Sequence, residues 1–298
     1  MKIVVKKDYV LKPLKEAFSE IDIVNCDEDG EILITDPENC QKSYLDRMPS
    51  LQWIQIPRAG YDAVDMDYIR NRKIKLTSAR GLYSIPIAED IICKIFMYTN
   101  STVKTMKRQY HHEFQRNTDR FCLANMVVGF FGTGSIARET AKRLYPFGCR
   151  IIGYKRKHID YIKYFDKLYF DDDFIVFLNQ CDIVVLTSEL NKQTYHKINE
   201  QTISHMKYGS AIINVSRGAV IDEKALIKGL NEGDISFAGL DVFETEPLPE
   251  NHPLWDMDNV VITSHCAGTC KENHAVFTNL VIENIKNFIN GKELNNLI

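Results

Sequence analysis

Short apolar runs rich in Ile and Val recur along the chain. Between them lie longer stretches whose apolar residues return every three or four positions. The first set of runs is KIVV, IDIV, EILIT, LQWIQI and KIKLTS, ending near Ser78. The second is MVVGFF, CRIIGY, KLYF, DIVVLT, SAIINV, SFAGLD and NVVITS. Runs that are apolar at nearly every position suit strands buried on both faces, and helical periods between them imply parallel strands joined by crossovers. LKPLKEAFSE, AVDMDYIRNR, SIARETAKRLYPFG and DEKALIKGLNEG supply such helical periods. The pattern therefore predicts two open α/β sheets in series.

A helical stretch from about Ile87 to Phe114 separates the two sets. The closing stretch HAVFTNLVIENIKNFINGK predicts one more amphipathic helix, with Gly291 just beyond its end. That helix follows the second sheet without a strand of its own, so it is expected to return to the first domain. The division expected is residues 1–95 completed by 275–298 as one domain, and 96–274 as the other.

The 298 residues fit two domains of ordinary size. With 45% hydrophobic and 26% charged residues, both a core and a normal surface are available. The net charge of −3 gives no general attraction to nucleic acid or anionic membranes, and neither partner is expected. Lysines interrupt MKIVVKKDYV too early for a signal-peptide core, and the longest apolar runs are far too short to span a bilayer. Eight cysteines are scattered without paired spacing, which favours reduced thiols and a cytoplasmic location.

MVVGFFGTGSIARETAKRL reads as strand, tight turn and helix. Gly132 and Gly134 occupy the first two positions of a GxGxxG/A pattern and Ala137 the third. The first glycine permits the turn, the second lets backbone approach a pyrophosphate, and the small third residue lets the helix pack on the strand. Ser135 and Ile136 then open the helix, where unpaired N–H groups and the dipole favour phosphate. The predicted fold class is α/β, with two Rossmann-like or flavodoxin-like domains and mainly parallel sheets. About twenty residues farther on, the next strand of such a unit usually ends in a carboxylate that holds a ribose hydroxyl. Here CRIIGY runs into Lys155 and Arg156. Cations there attract the 2′-phosphate of NADP, so NADP(H) is expected over the alternative, NAD(H).

Three segments then stand in order: the glycine turn, INVSRGAVIDEKAL, and GLDVFETEPLPENHPLWDMDNVVITSHCAG. Together they resemble the D-isomer-specific 2-hydroxyacid dehydrogenases, of the glyoxylate/hydroxypyruvate reductase or phosphoglycerate dehydrogenase kind. WIQIPRAGYDAVD and ARGLYSIPIAED are similar to the same family's substrate domain. The resemblance covers most of the chain from about Leu51 onward and implies an active-site cleft between the two domains. It places a catalytic trio on Arg217, Glu246 and His265. These residue types suit reduction of a 2-keto acid. A histidine can give the carbonyl oxygen its proton, a carboxylate can orient that histidine and favour its charged form, and a forked guanidinium can grip the substrate carboxylate. By the same resemblance Ala59 and Gly60 hold the substrate carboxylate through backbone N–H groups, Asp241 bonds the nicotinamide carboxamide, and Thr187 and Ser216 contact the cofactor. Ser188, beside Thr187, is a further candidate for that contact. Arg58, Tyr83 and His112 are candidates for the neighbourhood of the substrate's side chain.

Two departures stand out: Ser264 precedes His265 where the family has Pro, and HHEFQRNTDRFCLANM lacks the family's Trp and Gly-Lys. That second region is associated with subunit pairing in the family, so a homodimer is expected. SHCAGTCKENH gathers His265, Cys266, Cys270 and His274, but no matching pair stands elsewhere and no metal is expected. The implied function is hydride transfer between a nicotinamide cofactor and a small 2-keto or D-2-hydroxy acid. The alternative is a non-enzymatic, corepressor-like nucleotide sensor on the same fold.

Overall fold

The first five apolar runs form one parallel sheet. Its strands are β1 (Lys2–Val5), β2 (Asp22–Val24), β3 (Ile32–Ile34), β4 (Trp53–Gln55) and β5 (Lys75–Thr77), in the order β2-β1-β3-β4-β5. Alternate residues go to opposite faces, as the pleat requires. Ile3, Val5, Ile32, Ile34 and Trp53 meet Val10 and Leu14 on one face, together with Phe277, Val281 and Ile285 of the terminal helix Asn273–Ile289. Val4, Leu33, Ile54 and Leu76 pack with Leu45 and Ile69 on the other. Burial of both faces is why the inner strands β1, β3 and β4 read as nearly unbroken apolar runs.

The computed structural model describes residues 1–116 and 119–298. It divides into two units, Met1–Tyr83 with Cys270–Ile298, and Ser84–Thr269. The apolar pattern predicts a first domain that runs to residue 95. In the structure, the helix Ser84–Thr99 puts Ile91 and Ile95 among Val128, Phe130, Ala137 and Ala141, so it belongs wholly to the second unit.

In that second unit the strands are β6 (Val127–Phe131), β7 (Arg150–Tyr154), β8 (Lys167–Tyr169), β9 (Ile183–Leu186), β10 (Ser210–Asn214), β11 (Ile235–Leu240) and β12 (Val260–Ile262). They pair in parallel throughout, in the order β12-β11-β10-β9-β6-β7-β8. β6 lies between β9 and β7, so the chain reverses its direction of winding there. At such a switch point an open sheet leaves a crevice at the carboxyl ends of its strands. The long helical stretch expected between the two sheets is instead two helices, Ser84–Thr99 and Thr102–Tyr110, broken at Ser101 with φ +49°. Asn100 Nδ2 donates to Phe96 O at 3.1 Å, the local side-chain bonding by which short polar residues interrupt helices. Among the described residues no helix is long and apolar enough to cross a membrane.

The terminal helix is fastened to the first sheet by polar contacts as well as apolar ones. Asn284, fully buried, donates to Gln55 Oε1 at 3.0 Å and to Asn295 O at 3.1 Å, and accepts from Asn295 N at 2.7 Å. Gln55 Oε1 also accepts from Thr77 Oγ1, whose oxygen accepts from Trp53 Nε1. The last residues then cover the edge of β5, where Ile298 N donates to Leu76 O. Asn284→Ala removes one member of this network and leaves buried donors and acceptors unpaired. We expect a loss of about 2 kcal/mol or more in urea unfolding.

Candidate active site

Gly132 follows β6 at φ +101°, and a Cβ there would lie 2.8 Å from Ser188 N. Only glycine fits so close to the neighbouring strand end. Thr187, just after β9, donates through Oγ1 to Gly132 O at 2.9 Å, which closes the turn against its neighbour. Gly134 caps the helix Ser135–Leu144, and a Cβ at Gly134 would meet nothing within 4 Å. Open space thus lies before the first N–H groups of that helix, at Ser135 and Ile136. Two buried hydroxyls flank the turn without a hydrogen-bond partner, Thr133 Oγ1 and Ser188 Oγ. Buried polar atoms left unpaired call for a ligand or water. Together with the free helix amino end, they fit the pyrophosphate of a dinucleotide.

Lys155 and Arg156 follow β7, half-buried and exposed respectively. The Arg156 guanidinium is engaged by Glu189 Oε1 at 3.1 Å and Gln193 Oε1 at 2.8 Å. Arg156 therefore stands in the chain's own carboxylate field, which the sequence alone did not reveal.

The remaining candidates converge at the carboxyl ends of three neighbouring strands. Arg217 stands three residues past β10, Asp241 directly follows β11, and His265 lies three residues past β12. Asn214 ties the first of these loops: its Nδ2 donates to Arg217 O at 3.0 Å, and its Oδ1 accepts from Ser216 N and Ser216 Oγ. Arg217 Nη1 donates to Ser216 O at 2.7 Å. Gly218 packs so tightly on the next loop that a Cβ would fall 1.8 Å from Phe243 C. Phe243 N in turn donates to Glu246 Oε1 at 3.0 Å. That loop is latched by its neighbour too. Glu244 N donates to Glu223 Oε1, Glu223 N donates to Glu244 Oε1, and His196 Nε2 lies 3.0 Å from Glu244 Oε1. Burial raises the Glu223 carboxyl above the usual carboxylate range, and the bond from Glu244 N opposes it.

His265 Nδ1 meets Glu246 Oε2 at 2.7 Å. The carboxylate accepts a hydrogen bond from Nδ1–H, which sets the ring's tautomer and leaves Nε2 for other work. His265 itself is held at φ +52°, an uncommon conformation for a residue with a side chain. Asp241 explains how. Its carbonyl accepts from His265 N at 2.8 Å, Oδ1 accepts from Cys266 N at 3.0 Å, and Oδ2 accepts from Ala267 N at 3.0 Å. Oδ1 also accepts from Thr263 Oγ1 at 2.5 Å. Asp241 is only 2% exposed, so these bonds replace water.

In the first unit, Ala59 and Gly60 form the loop after β4 and are partly to fully exposed. Arg58 beside them is ion-paired with Glu38 at 2.7 Å. Tyr83 donates to Pro57 O at 2.6 Å, and burial pushes its hydroxyl up to about 12, which leaves it protonated at neutral pH. His112 lies in the second unit, exposed at φ +58°. Cys266 is exposed and Cys270 half-buried. Cys266 N donates to Asp241, and Cys270 Sγ donates to Asn273 Oδ1.

A family model described as the NAD binding domain of D-isomer specific 2-hydroxyacid dehydrogenase matches residues 92–267. This chain belongs to that family. A glyoxylate reductase of Thermofilum pendens is 33% identical over 87% of this chain and 78% of its own. A glyoxylate/hydroxypyruvate reductase B of Enterobacter sp. (strain 638) is 30% identical over 89% and 83%. The crystal structure of a D-isomer specific 2-hydroxyacid dehydrogenase from Xanthobacter autotrophicus Py2, in complex with NADPH and MES, shares the fold. It has a TM-score of 0.86 and 24% identity, covering 100% of this chain and 97% of that one. This 2-hydroxyacid dehydrogenase is thus a nicotinamide-dependent oxidoreductase acting on 2-hydroxy and 2-keto acids.

Sequence reasoning missed Thr263 and the unpaired hydroxyl of Thr133. Each is an ordinary threonine in an apolar or glycine-rich context, and only the folded surroundings, burial for Thr133 and hydrogen-bond partners for Thr263, give it meaning. Gly218 offers a direct check on how the dehydrogenase's loops are stacked. Gly218→Ala must push Phe243 and Glu246 away from the strand ends. We expect a stability loss of about 3 kcal/mol in thermal unfolding, together with reduced turnover.

Proposed function

We propose that this enzyme reduces a short 2-keto acid, such as glyoxylate or hydroxypyruvate, to its 2-hydroxy acid, of D configuration where that carbon is a stereocentre, with NADP(H) preferred over NAD(H). The observation that carries the reading is the 2.7 Å contact between His265 Nδ1 and Glu246 Oε2, at the strand ends that also bear Arg217 and Asp241. With Nδ1–H turned toward Glu246, His265 Nε2 is the atom that passes a proton to the keto oxygen. Arg217 grips the substrate carboxylate and draws charge toward that oxygen. By the family resemblance, the backbone N–H groups of Ala59 and Gly60 would serve as neutral donors to a carboxylate.

Gly132, Gly134, Ser135 and Ile136 would hold the cofactor's pyrophosphate, with Thr187 and Ser216 along its length and Asp241 as acceptor for its carboxamide. When bound, the nicotinamide supplies the hydride for the carbonyl carbon. Lys155 and Arg156 favour a 2′-phosphate by charge, although Arg156 must leave Glu189 or share its guanidinium with it. We further read the enzyme as a cytoplasmic homodimer. Exposed apolar side chains at Met106 (61%), Tyr110 (83%) and Tyr208 (80%) support a subunit contact, and a monomer mass in sedimentation equilibrium would count against it.

The decisive assay follows NADPH and NADH oxidation in parallel across short 2-keto acids. His265→Ala and Arg217→Ala should each lower kcat by about a hundredfold or more while cofactor binding survives. Unchanged turnover in either removes the mechanism. Lys155→Asp with Arg156→Pro should shift preference toward NADH, and an unaltered ratio of the two kcat/KM values removes the phosphate argument.

A further inference from the structure

Lys94 is a full charge in the middle of an apolar helix, and it is 1% exposed. Ile91 and Ile95 beside it are core residues. Taking a lysine out of water costs several kcal/mol, and an apolar side chain of similar volume would be as stable or more so there. The chain nevertheless satisfies all three ammonium donors. Two go to the carboxylate of Asp90, one turn earlier, at 2.6 and 2.5 Å. The third goes to Thr263 Oγ1 at 3.1 Å. Gly239 of β11 makes room for the stem, since a Cβ there would stand 3.0 Å from Lys94 Cδ.

Thr263 links this charge to the redox site. Its oxygen accepts from Lys94, so its one proton is directed to Asp241 Oδ1, at 2.5 Å. Asp241 then holds His265, Cys266 and Ala267 through their N–H groups. Asp90, with 21% of its side chain accessible, thus pairs with the cation directly, and the buried Asp241 reaches it through Thr263. Burial raises the Asp90 carboxyl, Lys94 opposes this, and Asp241 adds to it. Without Lys94, the Thr263 oxygen loses the donor that directs its one proton to Asp241.

We propose that Lys94 is a positioning residue of the redox site. Through Thr263 it holds Asp241 in the orientation that fixes the His265 loop and receives the nicotinamide carboxamide. The inference rests on the reading of Asp241 and His265 given under Proposed function, and it concerns residues that touch neither substrate nor cofactor.

The test is Lys94→Met combined with Asp90→Leu, which replaces the ion pair by apolar volume and so removes the burial penalty. Two ligands are titrated by fluorescence: NADPH, and 2′-phospho-ADP-ribose, which lacks the nicotinamide ring. We expect NADPH affinity to fall about tenfold and kcat with glyoxylate to fall at least as much, while 2′-phospho-ADP-ribose binding is unchanged. Thr263→Val should reproduce the pattern and Thr263→Ser should restore it. If the double variant does not fold, the two Thr263 variants decide alone. Equal weakening of both nucleotides marks a merely structural role and overturns the proposal. Wild-type affinities together with wild-type kcat also overturn it. A wild-type protein that reduces no 2-keto acid sinks the functional reading instead, while the ratio of the two affinities still tests Lys94.

Discussion

Asp241 carries a carboxylate into a place where water hardly reaches it, and the second unit is organised around satisfying that charge. Three donors reach its two oxygens and a fourth reaches its carbonyl, from Thr263, Cys266, Ala267 and His265. The loop after β12 must therefore wrap around the end of β11, and His265 takes a left-handed backbone conformation to allow it. A buried charge is tolerated only when it is hydrogen-bonded, so the loop has little freedom to lie elsewhere. The position of the imidazole follows from a neighbour's need for donors.

The pairing of His265 with Glu246 works by the same logic on a more exposed footing. Glu246 is not held by burial, since about a third of its side chain is accessible. It is aimed by Phe243 N, by the Glu244–Glu223 latch, and by the contact of Gly218 with Phe243. Three parallel strands end side by side, and each loop leans on the next. Catalytic geometry on a parallel sheet is thereby shared among loops that are far apart in sequence.

Most of the architecture was legible before any coordinates. All twelve strands among the described residues coincide with apolar runs, most strongly the inner ones, which are buried on both faces, while the edge strands β2, β8 and β12 are only partly buried. The break at Ser101 was not legible, since apolar residues continue at helical spacing on both sides of it. The unit boundary at Tyr83 was missed for a related reason: the helix that follows gives no local sign of which sheet it will pack against. Asp90 and Lys94 stand four residues apart and look, in sequence, like an ordinary solvated helix pair.

What the sequence determined by itself was periodicity, chain order and residue chemistry: two parallel sheets, a glycine turn opening a helix, and Arg217, Glu246 and His265 in family order. These are local properties, readable wherever a pattern repeats or a motif is contiguous. What only the tertiary structure decided is which polar groups are cut off from water and what they find there. Asp241 and Lys94 acquire their roles through burial, and Thr263 through partners as much as 169 residues apart. The strength of a charge or a hydrogen bond depends on the surrounding dielectric and geometry, and neither exists until the chain has folded.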